Sequence, residues 1–374
     1  MSKVGILSMQ RIKNYGSFLQ AYGLKKIIEE LGHEVQFVDY HVSSPVINTN
    51  DNKKNDKISK ALKTMEGDAP FIQKVQYIIH KKNFGRKYYD LLGLTKIPNY
   101  TPELDVLVIG SDEVFNCIQA NRNVGYSTEL FGQNNNAKKV ITYAASFGNT
   151  TISKLEKYEK KQEIANLLSK IDAISVRDNN SGMIVETLTG NKVNYNLDPV
   201  LIYDYMNKCN EIPDIRVKEK FMIVYAYSNR ISKKESEFIR NYAKKKNLKV
   251  YAIGGAQKCA DRFIDCSPFE VLGYFKNAEL IVTDTFHGSI FSIITHKDFI
   301  TLVRKSMGDK YGNEEKLTDL LNRVELKDRM IYDIADMENT LKHNNINWNN
   351  VDKIIKKSQY DTINYLKITL GERN

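Results

Sequence analysis

The chain has 374 residues, 42% of them hydrophobic, and a formal net charge of +10 from 55 basic and 45 acidic side chains. That length exceeds one ordinary core and suits two α/β domains, and the near-average hydrophobicity excludes a disordered chain. No apolar run approaches the about 18 residues of a membrane span, and the apolar segment after Met1-Ser2-Lys3 is too short for a secretory leader, so a cytoplasmic protein is expected.

Along the chain an apolar strand, a small-residue loop and an amphipathic helix recur, the pattern of a parallel sheet covered by helices. Strand Val4–Ser8 leads through a polar loop, Arg11 to Gly16, into a helix from about Ser17 to Leu31, stopped by Gly32. Strand Glu34–Tyr40 follows. Residues 43–101 are Lys/Asn-rich and then helical with aromatics, which reads as an insertion or substrate-facing excursion. Strand Asp105–Ile109 ends in Gly110-Ser111-Asp112-Glu113, with Asn116 close behind, and strand Lys139–Ala145 ends in Ser146-Phe147-Gly148. Strands Ala173–Arg177 and Val193–Leu197 complete a first domain over 1–205. Its loops Asn14-Tyr15-Gly16 and Ser111-Asp112 are ordinary turn and cap chemistry singly, but together they suggest a polar cleft.

A linker around Pro213 leads to a second domain over 218–345, with strands Phe221–Tyr227, Lys249–Ile253, Glu279–Thr283 and Phe299–Val303. Residues 346–374 form a helix that should pack back on the first domain. The expected architecture is α/β: two Rossmann-like domains facing across a cleft, as in glycosyltransferase-B enzymes.

The segment Ile281-Val282-Thr283-Asp284-Thr285-Phe286-His287-Gly288-Ser289 is the most informative. A buried strand ends, a polar loop follows, and Gly288-Ser289 open an apolar helix whose N-terminus suits an anion. A histidine there can shuttle protons or pair with phosphate, or it can simply cap the helix. Arg177, at a strand end, suits bidentate carboxylate or phosphate binding, or a salt bridge to Asp178 or Asp198.

Other chemistry finds no support. Cys117, Cys209, Cys259 and Cys266 form no CxxC pair, so no metal is expected. No P-loop, GxGxxG, HExxH or GxSxG occurs in a fitting context. The Lys patches suit solvated helix faces, a phosphorylated substrate or one anchored in an anionic bilayer better than nucleic acid.

Taken in order, these blocks resemble the polysaccharide pyruvyl transferase family. They are Asn14-Tyr15-Gly16-Ser17-Phe18, Val108-Ile109-Gly110-Ser111-Asp112-Glu113, Tyr143-Ala144-Ala145-Ser146-Phe147-Gly148, Ser175-Val176-Arg177-Asp178, Leu197-Asp198-Pro199 and Thr283 to Ser289. The resemblance implies a cytoplasmic transferase, peripheral to the membrane where its acceptor is lipid-linked at the inner membrane surface. It implies transfer of pyruvyl from phosphoenolpyruvate to sugar hydroxyls, forming a ketal in the biosynthesis of cell-surface polysaccharide such as exopolysaccharide or capsule. No cofactor is expected beyond phosphoenolpyruvate as co-substrate.

Residue by residue, His287 matches the family's donor-site histidine and Arg177 an arginine near the donor anion. Asp112 is the candidate base for the acceptor hydroxyl. Gly288, Ser289, Asn14, Tyr15, Gly16, Ser111 and Asn116 are candidate binding residues. Many members carry Arg two residues before the histidine, where this chain has Thr285. A second cation must then come from elsewhere, with Arg304 and Lys305 the candidates. Two other readings stand beside this one: a nucleotide-sugar glycosyltransferase of the same plan, and a catalytically silent binding protein.

Overall fold

In the computed structural model, which describes residues 1–47, 62, 64–305 and 312–371, twelve strands build two all-parallel sheets among the described residues. The first holds β1 (Lys3–Leu7), β2 (Glu34–Phe37), β3 (Glu103–Asp112), β4 (Asn136–Ala145), β5 (Ser175–Val176) and β6 (Asn194–Tyr195), in the order β2-β1-β3-β4-β5-β6. The second holds β7 (Phe221–Tyr225), β8 (Lys249–Ile253), β9 (Arg262–Phe263), β10 (Leu280–Thr283), β11 (Phe299–Leu302) and β12 (Met330–Ile331), in the order β12-β11-β10-β7-β8-β9. The expected pair of Rossmann-like units is what forms.

Strands β7, β10 and β11 are buried along their whole length, which is why they read as unbroken apolar runs. The two-residue strands β9 and β12 were not expected, and the strands foreseen over 173–177 and 193–197 pair for only two residues each. Two residues carry no periodicity, so such edges are invisible in a sequence.

The helices that shape the site are α1 (Tyr15–Glu30), α2 (Phe71–Leu92), α3 (Asn179–Thr189), α4 (Lys233–Lys245), α5 (Pro268–Asn277), α6 (Phe286–Ile294), α7 (Glu314–Arg323) and α8 (Trp348–Leu370). Strand order reverses between β1 and β3 in one sheet and between β7 and β10 in the other. Loops at such reversals splay apart at the carboxyl ends of the strands and leave a crevice. Here residues from both crevices line one shared cleft.

Aromatic packing holds the halves in register. On α1, Phe18 and Tyr22 meet Phe269 edge-on at 5.7 and 5.0 Å, and the Tyr15 hydroxyl donates to the Cys266 carbonyl at 3.0 Å. Helix α2 lies in the 43–101 excursion, yet it reaches the second sheet. Gln73 donates to the Ala260 carbonyl at 2.9 Å, and His80 Nδ1 lies 2.6 Å from Asp265 Oδ1. Part of that excursion, residues 48–61 and 63, lies outside the described residues. Helix α8 returns to the first sheet, where the Tyr365 hydroxyl donates to the Thr142 carbonyl and Lys139 to the Thr369 carbonyl.

Candidate active site

One wall of the cleft is built by the loops after β1 and β3. Asn14 caps α1 by accepting the Ser17 N–H at 2.7 Å, which brings Gly16 and Ser17 to the cleft surface. Ser17 Oγ donates to Asp112 Oδ2 at 2.8 Å. Asp112 itself adopts φ +72°, a left-handed conformation that Asp tolerates better than most residues. Beside it, Glu113 pairs with Lys316 of α7 at 2.9 Å and accepts from Asn116 at 2.9 Å. Burial alone would raise the Glu113 pKa, but the Lys316 and Arg177 charges overcome it and hold the carboxyl at about 2.

At the floor, three side chains from distant parts of the chain converge. Arg177 follows β5 and is 3% exposed; its Nη1 donates to Asp198 Oδ2 at 2.8 Å and lies 3.7 Å from Asp112 Oδ1. Asp198, fully buried, caps a helical turn through the Val200 N–H. The same Oδ2 lies 3.5 Å from His287 Nε2, longer than a hydrogen bond but close enough for strong coupling. Burial pushes the Asp198 carboxyl up, but the His287 and Arg177 charges win and keep it below its ordinary range. The Arg177 guanidinium also stacks on the Phe286 ring, 4.4 Å from its centroid, and its Nε has no acceptor among the described residues. A carboxylate can only accept, so it favours the proton on Nε2 and leaves Nδ1 as the exchanging nitrogen. Arg177 and Asp198 come from the first half and His287 from the second, so the cluster exists only when the halves meet.

His287 is the second residue of α6. Thr285 caps that helix, its Oγ1 accepting the Gly288 N–H at 2.9 Å. Thr285 borders the cleft, whereas Gly288 is packed inside: a Cβ there would meet Thr283 Oγ1 at 2.1 Å. Ser289 is fully buried, its hydroxyl shared between the Thr285 carbonyl and Thr301. The Gly288-Ser289 amides are therefore consumed by the helix and its cap, contrary to the expectation that they hold an anion.

Further expectations need correcting. Ser111 is fully buried with its hydroxyl on the Ala144 carbonyl, and Tyr15 is buried beneath the cleft against Phe84. Neither reaches the cavity. Arg304 turns inward, because Glu235, fixed by the capping box it forms with Ser232, takes its guanidinium at 2.5 Å. Lys305 extends over the Tyr332 ring. Asn14, Gly16, Asp112, Asn116, Arg177, Thr285 and His287 do line the cleft, which encloses about 720 Å³.

Sequence reasoning missed three functional candidates. Asp198 was visible as a partner for Arg177 and within the Leu197-Asp198-Pro199 block, with no role of its own assigned to it. Arg230, from the loop after β7, lines the cleft near Thr285, stacks on Tyr227 with 4.7 Å to the ring centroid and lies 4.0 Å from buried Asp284. Burial pushes the Asp284 carboxyl up, while Arg230 and Arg304 pull it down. Lys316 approaches from α7. Arg230 and Lys316 sit in no motif; only their place after a strand and on a helix face marks them.

The polysaccharide pyruvyl transferase family profile matches residues 14–306. No curated protein sequence matches. Among solved structures, Staphylococcus aureus MnaA with UDP is similar over 100% of this chain and 99% of that one, at 11% identity and a TM-score of 0.50. The UDP-GlcNAc 2-epimerase of Neisseria meningitidis bound to UDP-GlcNAc covers 98% and 99% at 10% identity, TM-score 0.46. The calicheamicin glycosyltransferase CalG4 covers 100% and 99% at 10% identity, TM-score 0.45. At 11% identity the likeness to MnaA speaks to the fold alone.

Proposed function

This chain belongs to the polysaccharide pyruvyl transferase family, and from that premise we propose that it transfers the pyruvyl group of phosphoenolpyruvate to hydroxyls of a sugar acceptor. One observation carries the proposal: the cleft gathers Arg177, Arg230 and Lys316 around His287. Phosphoenolpyruvate packs a carboxylate and a phosphate onto three carbons, so its site needs at least two cations. Arg177 and Arg230 supply them, Arg230 taking the place that Thr285 cannot fill.

The chemistry follows from these positions. Protonated His287 delivers a proton from Nδ1 to the CH₂ carbon, which becomes a methyl group and leaves an oxocarbenium-like centre. A sugar hydroxyl attacks that centre while Asp112 takes its proton and passes it to phosphate. A second hydroxyl displaces phosphate, closes the ketal and returns its proton to His287. The Asp198 carboxylate stabilises the imidazolium throughout.

The test is phosphate release from phosphoenolpyruvate in the presence of lipid-linked or nucleotide-linked sugars. His287→Ala should lower turnover by about 10²–10⁴-fold. His287→Gln with near-full activity would refute proton donation. Ligand binding to the folded state adds RT ln(1 + [L]/Kd), about 2.7 kcal/mol at a hundredfold excess over Kd. Phosphoenolpyruvate should therefore raise the melting temperature by a few degrees, and UDP less. Stabilisation by UDP with none by phosphoenolpyruvate would transfer the assignment to nucleotide-sugar chemistry.

A further inference from the structure

Helix α2 carries two stripes. Its inner stripe, Gln73, His80, Phe84, Tyr88 and Leu92, is buried. Opposite it, Ile72, Val75, Ile79, Lys82 and Arg86 recur at helical spacings of three and four and form an outer face. The first part of that face is apolar yet in solvent: Ile72 is 70% exposed and Ile79 49%, with Phe71 beside them at 66%. Single exposed apolar side chains are ordinary, whereas three large ones gathered at one helix end mark an interaction surface. The second part is basic. Lys74, Lys81, Lys82, Arg86 and Lys87 against Asp90 give the helix five positive charges and one negative, a net +4.

From this face we propose that α2 docks the protein on an anionic lipid surface, Phe71, Ile72 and Ile79 entering the headgroup region and Lys82 and Arg86 meeting lipid phosphates. An apolar wedge joined to a basic flank is what such an interface selects. A second copy of the chain is the poorer occupant, because each copy carries +10 and the face offers one carboxylate, Asp90, against its basic residues. The inner side of α2 is tied to both halves, through Phe84 to Tyr15 of α1 and through Gln73 and His80 to Ala260 and Asp265 beside β9, so the face is a rigid platform. Lys81, on its flank, lines the cleft. Docking there would set the cleft mouth beside the membrane. The proposal deepens the acceptor side of the pyruvyl-transfer reading, and rests on it for its purpose: the acceptor would be a lipid-linked sugar.

Vesicle flotation, without donor or acceptor, tests docking independently of catalysis. The full chain should float with phosphatidylcholine vesicles containing about 30% phosphatidylglycerol, not with pure phosphatidylcholine, and should detach as salt rises from about 0.1 to 0.5 M. Lys82→Glu/Arg86→Glu and Ile72→Asp/Ile79→Asp should each weaken partitioning at least tenfold, while leaving phosphate release with a water-soluble acceptor unchanged. Lys353→Glu/Lys356→Glu, on exposed positions of α8, should retain binding. Absence of binding, binding equal in all variants, or a fall in oligomer mass in the α2 variants without any change in vesicle binding would overturn the proposal. Vesicle binding without phosphate release would leave it standing and sink the pyruvyl-transfer reading instead.

Discussion

Gly16 and His287 are packed against each other across the cleft: a Cβ on Gly16 would stand 2.3 Å from His287 Nδ1 and 2.4 Å from its Cγ. The first half thus presents bare backbone to the nitrogen assigned to proton transfer, and any side chain would displace the ring or part the domains. Gly16→Ala should reduce kcat by about 10²-fold, because shifts of an ångström cost that much in aligned chemistry. Its melting temperature should fall as well, because the close contact must be relieved by moving the ring or the domains. Wild-type turnover in that variant would show that the contact is incidental.

One oxygen of Asp198, Oδ2, faces both Arg177 Nη1 at 2.8 Å and His287 Nε2 at 3.5 Å. Asp198→Asn keeps the shape but removes the charge, leaving Arg177 buried with Asp112 at 3.7 Å as its nearest carboxylate. Loss of a partner from a buried pair costs about 3–5 kcal/mol, and denaturant unfolding should register a loss near the lower figure. Turnover should also fall, since the His287 imidazole loses the carboxylate that faces and orients its Nε2. A variant with normal stability and wild-type turnover would remove Asp198 from the site.

The Glu113–Lys316 pair predicts a pH dependence with a definite sign. Glu113 titrates at about 2 in the folded protein, below its unfolded value of about 4.3. Its contribution, about 3 kcal/mol at most, is therefore complete above the unfolded pKa and disappears as pH falls toward 2. Unfolding free energies of wild type and Glu113→Gln should differ at pH 7, draw together below about pH 4 and converge only near about pH 2. A constant gap across that range would contradict the assignment.

Arg230 and Arg304 should separate cleanly. Arg230→Ala is expected to raise KM for phosphoenolpyruvate by about 10-fold or more, the worth of a charge-assisted bond, with modest change in stability. Arg304→Ala strips Glu235 of its partner and leaves Asp284 less compensated, so it should chiefly lower the unfolding free energy. The reverse pattern would restore Arg304 as the donor cation.

Much of this was legible in the residues. Val4–Leu7, Phe221–Tyr225 and Leu280–Thr283 announced buried parallel strands, because strands covered on both faces cannot carry polar residues. The polar loop before α1, the strand-end position of Arg177 and the helix opening at Gly288-Ser289 were legible too, because those features depend on neighbours a few residues away, whereas the capping roles of Asn14 and Thr285 appeared only in the structure. What the sequence could not reveal depends on side-chain direction between remote segments. Ser289 and Gly288 open a helix as read, but Thr285 and the packing of α6 turn their amides inward. Arg304 follows a strand end as read, but Glu235, held by its own cap, claims it.

The sequence by itself determined the two parallel sheets, their loops and the presence of His287 and Arg177 among them, because hydrophobic periodicity and capping are local. Only the tertiary structure decided that Asp198 joins those two residues, that Arg230 rather than Arg304 faces the cleft, and that α2 turns apolar side chains outward. Each of those outcomes is set by side-chain contacts between segments remote in the chain, and no run of neighbouring residues encodes that choice.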